Sequence, residues 1–79
     1  MKITITLRGS LTKRFGPWKK KEFEVPDNCT CTEALKSVGI DPDAIPNFGM
    51  VVINGMKSKR EDRLNPGDEL KAWSKITGG

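Results

Sequence analysis

The chain contains no histidine and no tyrosine, and only two cysteines among its 79 residues. Without histidine, the side chain best suited to proton transfer near neutral pH is missing. The cysteines, Cys29 and Cys31, stand two positions apart. A disulfide between them would be strained and would close almost no loop. A structural zinc site would need two more Cys or His ligands, and the chain has none. They read as reduced structural thiols, with redox sensitivity as the alternative. No apolar run approaches the roughly 20 residues of a membrane span. The opening stretch MKITITLRGS alternates too strictly for a signal-peptide core, and no cleavage pattern follows it. A cytoplasmic protein with no membrane partner is therefore expected. No GxxxxGK phosphate loop or dinucleotide fingerprint occurs. The acidic pairs Asp41/Asp43 and Glu61/Asp62 sit in turn and loop contexts and read as solvated charges. The chain is thus expected to bind no metal or cofactor itself and to have no catalytic site of its own.

What is present is a succession of short elements. In MKITITLR, Ile3, Ile5 and Leu7 alternate with Lys2, Thr4, Thr6 and Arg8, the pattern of a half-buried strand. GSLTKRFGPWKK reads as a loop broken by Gly9, Gly16 and Pro17. KKEFEV is a second strand, with Phe23 and Val25 on one face, and it plausibly pairs with the first as a hairpin. Thr30 to Glu33 fits the Thr-x-x-Glu capping box. Ala34, Leu35 and Val38 then make an apolar helical stripe, and Gly39 stands where a left-handed cap belongs. Ile40 and Ile45 should tuck inward from an irregular connection. GMVVI is a strand, Asn54-Gly55 a hairpin turn, and Met56 to Lys59 a short return strand. Leu64 anchors a polar stretch, and Asn65-Pro66-Gly67-Asp68 reads as a type II turn. ELKAWSKI closes the series, with Leu70 and Ala72 inward and Lys71, Trp73 and Lys75 outward. The order predicts an α+β domain over residues 1–75: a ubiquitin-like β-grasp, a mixed sheet of four to five strands gripping one short helix. Residues 76–79 are expected to form a flexible C-terminal Gly-Gly tail.

The formal net charge is +4, from 14 Lys and Arg against 10 Asp and Glu. Lys13, Arg14, Lys19, Lys20 and Lys21 cluster around Phe15 and Trp18, an arrangement that could meet single-stranded nucleic acid. The acidic residues are spread along the chain, however, and the modest charge disfavours such a partner. The cluster reads better as a solvated loop with an aromatic folded onto the core.

The chain ends WSKITGG. Placed after this series of elements, the ending adds a specific resemblance. VVINGMKSKREDRLNPGDELKAWSKITGG and TEALKSVGI are similar to the MoaD/ThiS family of ubiquitin-like sulfur carriers in most of their order of elements. The compact segment from Asn54 to Asp68 and the Thr77-Gly78-Gly79 ending look closer to the MoaD branch, the small subunit of molybdopterin synthase. That branch often has Pro before the tail, where this chain has Ser74 and Lys75. The resemblance implies a carrier whose Gly79 is adenylated by a ubiquitin-activating-type enzyme (MoeB/ThiF-like) that supplies ATP. A donor such as a cysteine desulfurase would convert Gly79 to a thiocarboxylate. A MoaE-like large subunit would accept the sulfur in molybdenum or tungsten cofactor biosynthesis. Thiamine and tRNA thiolation are the other acceptors of this chemistry. A lysine-conjugated protein modifier would share the first step.

The residue chemistry agrees with that role on its own terms. A terminal carboxylate is ionised near neutral pH and is a poor electrophile until activated. Gly78 and Gly79 carry no Cβ, so they can thread a narrow channel and leave the carbonyl open to attack. The outward face of the last strand is the expected docking surface, with Trp73, Met50, Val52 and Lys75 as partner-binding residues.

Overall fold

Branched apolar residues alternating with threonine and charge build the first strand, β1 (Lys2–Arg8), which buries Ile3, Ile5 and Leu7 on one face. The computed structural model describes residues 1–75. Strand β2 (Lys21–Glu24) pairs antiparallel with β1, setting Ile3 opposite Phe23. Strands β3 (Phe48–Ile53) and β4 (Met56–Ser58) form the second hairpin around Asn54 and Gly55. Both turn residues have positive φ, 50° and 82°, as a type I′ turn requires. Strand β5 (Glu69–Ser74) enters the centre, parallel to β1 and antiparallel to β3, and gives the order β2-β1-β5-β3-β4. The sheet is mixed and has five strands, as expected.

The region between β1 and β2 departs from the expected loop. Residues Leu11–Phe15 form a short helix, α1. Leu11 is fully buried and Phe15, one turn later, is packed against the core, so two apolar residues suffice to fold the segment down. The following Trp18–Lys20 stretch runs beside β1, where the Leu7 amide donates to the Trp18 carbonyl at 3.0 Å. It buries Thr6, expected outward and solvated, and Thr6 Oγ1 accepts a 2.9 Å hydrogen bond from the Lys20 amide. Trp18 packs on Phe23 with ring centroids 4.8 Å apart, and the Lys21 ammonium lies 5.0 Å over the Trp18 ring. Both aromatics of the basic cluster, Phe15 and Trp18, are thus packed against the core.

Helix α2 (Cys31–Ser37) covers the face that carries Ile3, Ile5 and Leu7. Its capping box is complete. The Glu33 amide donates to Thr30 Oγ1 at 3.1 Å, and the Thr30 amide donates to Glu33 Oε1 at 2.8 Å. At the far end Gly39, at φ 93°, donates to the Lys36 carbonyl, and Ile40 donates to Leu35, a Schellman closure. Cys31, Ala34 and Leu35 meet Ile3, Ile5, Leu7, Val51, Leu70 and Ala72 in one core. Ile40, Ile45 and Leu64 complete it, Ile45 following a single 3₁₀ turn over Pro42–Ala44.

Two turns on the same edge are joined by side chains. Asn54 Nδ2 donates to Asp68 Oδ1 at 2.9 Å, and the Asn65 amide donates to Asp68 Oδ2 at 2.8 Å. Gly67, at φ 85°, supplies the positive angle that the Asn65–Asp68 turn needs. The buried Asp68 therefore fixes where β5 begins.

The Met1 ammonium docks on the end of β2, donating to the Val25 carbonyl at 2.7 Å and to Asp27 at 2.8 Å. Its pKa is raised above the ordinary 8.0, chiefly by the Asp27 hydrogen bond, and Asp27 is lowered below 3.8 by the ammonium. The amine's contribution is whole below pH 8.0 and is lost as pH rises through its raised value. Asp27's contribution is present above pH 3.8 and is lost as pH falls through its lowered value. Thermal unfolding across pH is expected to show a shallow decline above pH 8.0, and Asp27→Asn should weaken that alkaline dependence.

Candidate functional site

The face of the sheet opposite α2 is built by register. Directly paired residues share a face, so Arg8, Trp73 and Met50 form one row, and Thr6, Lys71, Val52 and Lys57 form the next. Trp73 is half-buried at the centre of its row, and Met50 is 39% exposed beside it. Val52 lies on this face but is only 8% exposed, since its row carries the long side chains of Lys71 and Lys57 on either side. It can offer little surface to a partner. Of the acids on this face, Glu69 is held by Lys71 at 3.6 Å and Lys20 at 3.8 Å, while Glu22 and Glu24 stand at the β2 edge opposite Thr4 and Lys2. Arg8 and Lys57 are left with no carboxylate partner among the described residues. An apolar centre results, with Arg8 and Lys57 beside it and Glu22 and Glu24 toward the β2 edge.

The end of β5 adjoins a shallow depression of about 440 Å³ lined by Gly49, Met50, Trp73, Ser74 and Lys75. Gly49 is what opens it. A Cβ at that position would stand 2.8 Å from the Trp73 carbonyl oxygen and 2.9 Å from the Ser74 carbonyl carbon. The backbone of β3 can press this closely on β5 only without a side chain, and the β3–β5 register shifts between Phe48 and Met50. Across the strand end, Arg60 reaches Asp43 at 3.2 Å and lies 5.9 Å over the Phe48 ring. Lys75 is exposed between these two surfaces.

Of the residues singled out in the sequence, Trp73, Met50 and Lys75 are brought together, and Val52 lies one row away beneath the surface. Thr77, Gly78 and Gly79 lie outside the described residues. No group of His, Cys, Asp or Glu able to hold a metal occurs among the described residues, and no helix there is long and apolar enough to cross a membrane. Sequence reasoning missed Ser10, Asn47 and Gly49, which pack around the strand end. The only sequence signal for them is the pair of polar turn formers and a glycine opening a strand.

Cys29 and Cys31 are both free and buried. Burial, reinforced by the neighbouring Asp62 carboxylate, pushes the Cys31 thiol up to about 11, and burial also raises Cys29. Neither is a thiolate near neutral pH. Both are expected to react with a thiol reagent such as 5,5′-dithiobis(2-nitrobenzoate) only at the rate of unfolding, and immediately in denaturant.

The chain is similar over its full length to the crystal structure of SAMP1 from Haloferax volcanii, all of which is covered, with a TM-score of 0.69 and 20% sequence identity. The fold is a ubiquitin-like β-grasp. No protein-family model and no curated protein sequence matches the chain.

Proposed function

We propose that this protein is a sulfur carrier whose reacting group is the carboxyl of Gly79. A partner enzyme of the ubiquitin-activating type binds ATP, the Gly79 carboxylate attacks the α-phosphorus, and pyrophosphate leaves. A hydrosulfide-level donor then attacks the acyl-adenylate carbonyl and AMP leaves, so that one carboxyl oxygen is replaced by sulfur. The thiocarboxylate delivers that sulfur to an acceptor. The acceptor proposed is the pterin of the molybdenum or tungsten cofactor, on the likeness of the Asn54–Asp68 segment and the Thr77-Gly78-Gly79 ending to the MoaD branch.

The observation that carries the reading is that one strand serves both purposes. β5 holds Trp73 at the centre of the open face and also hands the chain on toward Gly78 and Gly79. A partner gripping Trp73, Met50 and the adjacent Arg8 and Lys57 would have the carboxyl within the roughly 13 Å that four extended residues span. The cations favour an acidic partner surface, and Lys57 and Arg8 would speed encounter at low salt.

Intact-mass analysis tests this after incubation with ATP, a sulfide source and an activating enzyme from the same cell. A gain equal to one oxygen replaced by sulfur supports the carrier. No change with an enzyme shown to be active opposes it. A second reading, a modifier joined to lysines through Gly79, is favoured by the likeness to SAMP1, a ubiquitin-like small archaeal modifier. ATP-dependent isopeptide adducts bearing the Gly78-Gly79 remnant would select it.

A further inference from the structure

A closed ring of hydrogen bonds surrounds the point where β5 ends. Ser74 Oγ accepts from the Ser10 amide at 2.9 Å, and Ser10 Oγ accepts from Asn47 Nδ2 at 2.9 Å. The Asn47 carbonyl accepts from the Lys75 amide at 2.6 Å, and the peptide bond from Lys75 back to Ser74 closes the ring. The ring ties three segments that are distant in sequence: the turn after β1, the connection before β3, and the last residues of β5. Glycine sits on both sides of it. Gly9 has φ 67°, and a Cβ there would lie against the Ser74 hydroxyl. Gly49 admits the backbone of Trp73, Ser74 and Lys75 at distances that no Cβ tolerates.

None of this is needed to make a strand end. Strand ends commonly fray, and a serine at the end of a strand is commonly solvated. Here Ser10 stands at the N-cap position of α1, yet its side chain makes no cap. Its hydroxyl is spent instead on Asn47, and its amide on Ser74. Ser74 and Lys75 of the ring also line the depression beside Trp73 and Met50.

We propose that Ser10, Asn47 and Ser74 are positioning residues that fix the point and direction in which the chain leaves β5 toward Gly79. This rests on the carrier reading above. Only four residues follow Lys75, so the point where the chain leaves the sheet sets the region that the carboxyl can reach. Near-attack alignment is sensitive to shifts of about 1 Å. Docking depends on Trp73 and Met50 and should not change.

The test compares wild type with Ser74→Ala, Asn47→Ala, their double variant and Ser74→Thr, which keeps the hydroxyl. Hydrogen exchange at the Ser10 and Lys75 amides reads the ring without any partner. Adenylation of the full chain by the activating enzyme, followed as pyrophosphate release, reads the positioning. Ser74→Ala and Asn47→Ala are expected to lower kcat by about tenfold or more with KM changed less than about twofold. The double variant should be little worse than either single one, because both open the same ring. Ser74→Thr should restore kcat. Thr30→Ala, a comparably destabilising loss of a helix cap elsewhere, should leave kcat unchanged. Faster amide exchange with wild-type kcat in Ser74→Ala overturns the proposal and leaves the carrier reading intact. Equal kcat losses in Ser74→Ala and Thr30→Ala overturn it as mere destabilisation. Wild type that is never adenylated overturns the carrier reading and the positioning role with it, while the exchange data still report the ring.

Discussion

Gly79→Ala should leave the thermal midpoint of the protein unchanged and remove most of its capacity to carry sulfur. The residue follows the last described strand in the sequence, and substitutions away from a packed core typically change stability by less than about 0.5 kcal/mol. Its proposed chemistry is different in kind. Over one cycle the Gly79 carboxylate must attack the α-phosphorus of ATP, and the carbonyl of the resulting adenylate must then be attacked by sulfur. A methyl beside that carbonyl obstructs both approaches and narrows the backbone angles available in a channel shaped for glycine. A loss on the order of a hundredfold in adenylation is expected, as for other misplacements of a reacting group. Deleting Gly78 and Gly79 together should abolish the reaction while leaving far-ultraviolet circular dichroism intact.

The second large effect is structural and falls on Gly49. In Gly49→Ala the new methyl carbon would meet the Trp73 carbonyl oxygen at 2.8 Å, the Ser74 carbonyl carbon at 2.9 Å and the Lys75 nitrogen at 3.0 Å. All three are backbone atoms of a central strand, so no rotamer change relieves the contact. β3 and β5 must part. Overpacking of this kind costs about 1–3 kcal/mol. In a domain of this size each kcal/mol moves the thermal midpoint by about 4–8 °C. A fall of roughly 10 °C is therefore expected in differential scanning calorimetry. Gly39→Ala provides a contrast. No atom stands within 4 Å of its missing Cβ, and only its φ of 93° opposes the substitution. Its loss should be the smaller of the two, and the carrier reaction should survive it.

Much of this architecture was legible in the sequence because local chemistry and tertiary packing agree. The alternation of Ile3, Ile5 and Leu7, the Thr30–Glu33 box, the Asn54-Gly55 turn and the Pro66-Gly67 turn each prescribe a conformation that the packed fold retains. Helix α1 was not legible. Five residues with Leu11 and Phe15 as their apolar content carry too little periodicity to be told from a loop, and a helix that short exists only through its packing. Thr6 was misjudged for a related reason. Alternation assigns it to the open face correctly, but cannot show that the Lys20 amide caps its hydroxyl. Val52 shares that limit, since register names its face and not what covers it. At the strand end, Trp73 and Met50 could be placed together from the period of two. Ser10, Asn47 and Ser74 could not, because their ring is made by residues up to 64 positions apart and has no local signature.

The central claim is that the last carboxyl, and no side chain, accepts the sulfur. Fragmentation mass spectrometry of the sulfide-charged protein tests it most directly. The account predicts that the exchange of one oxygen for sulfur appears on C-terminal fragments containing Gly78 and Gly79, and on none that stop short of them. A whole added sulfur on a fragment containing Cys29 or Cys31, with the C-terminal fragments unchanged, would contradict it.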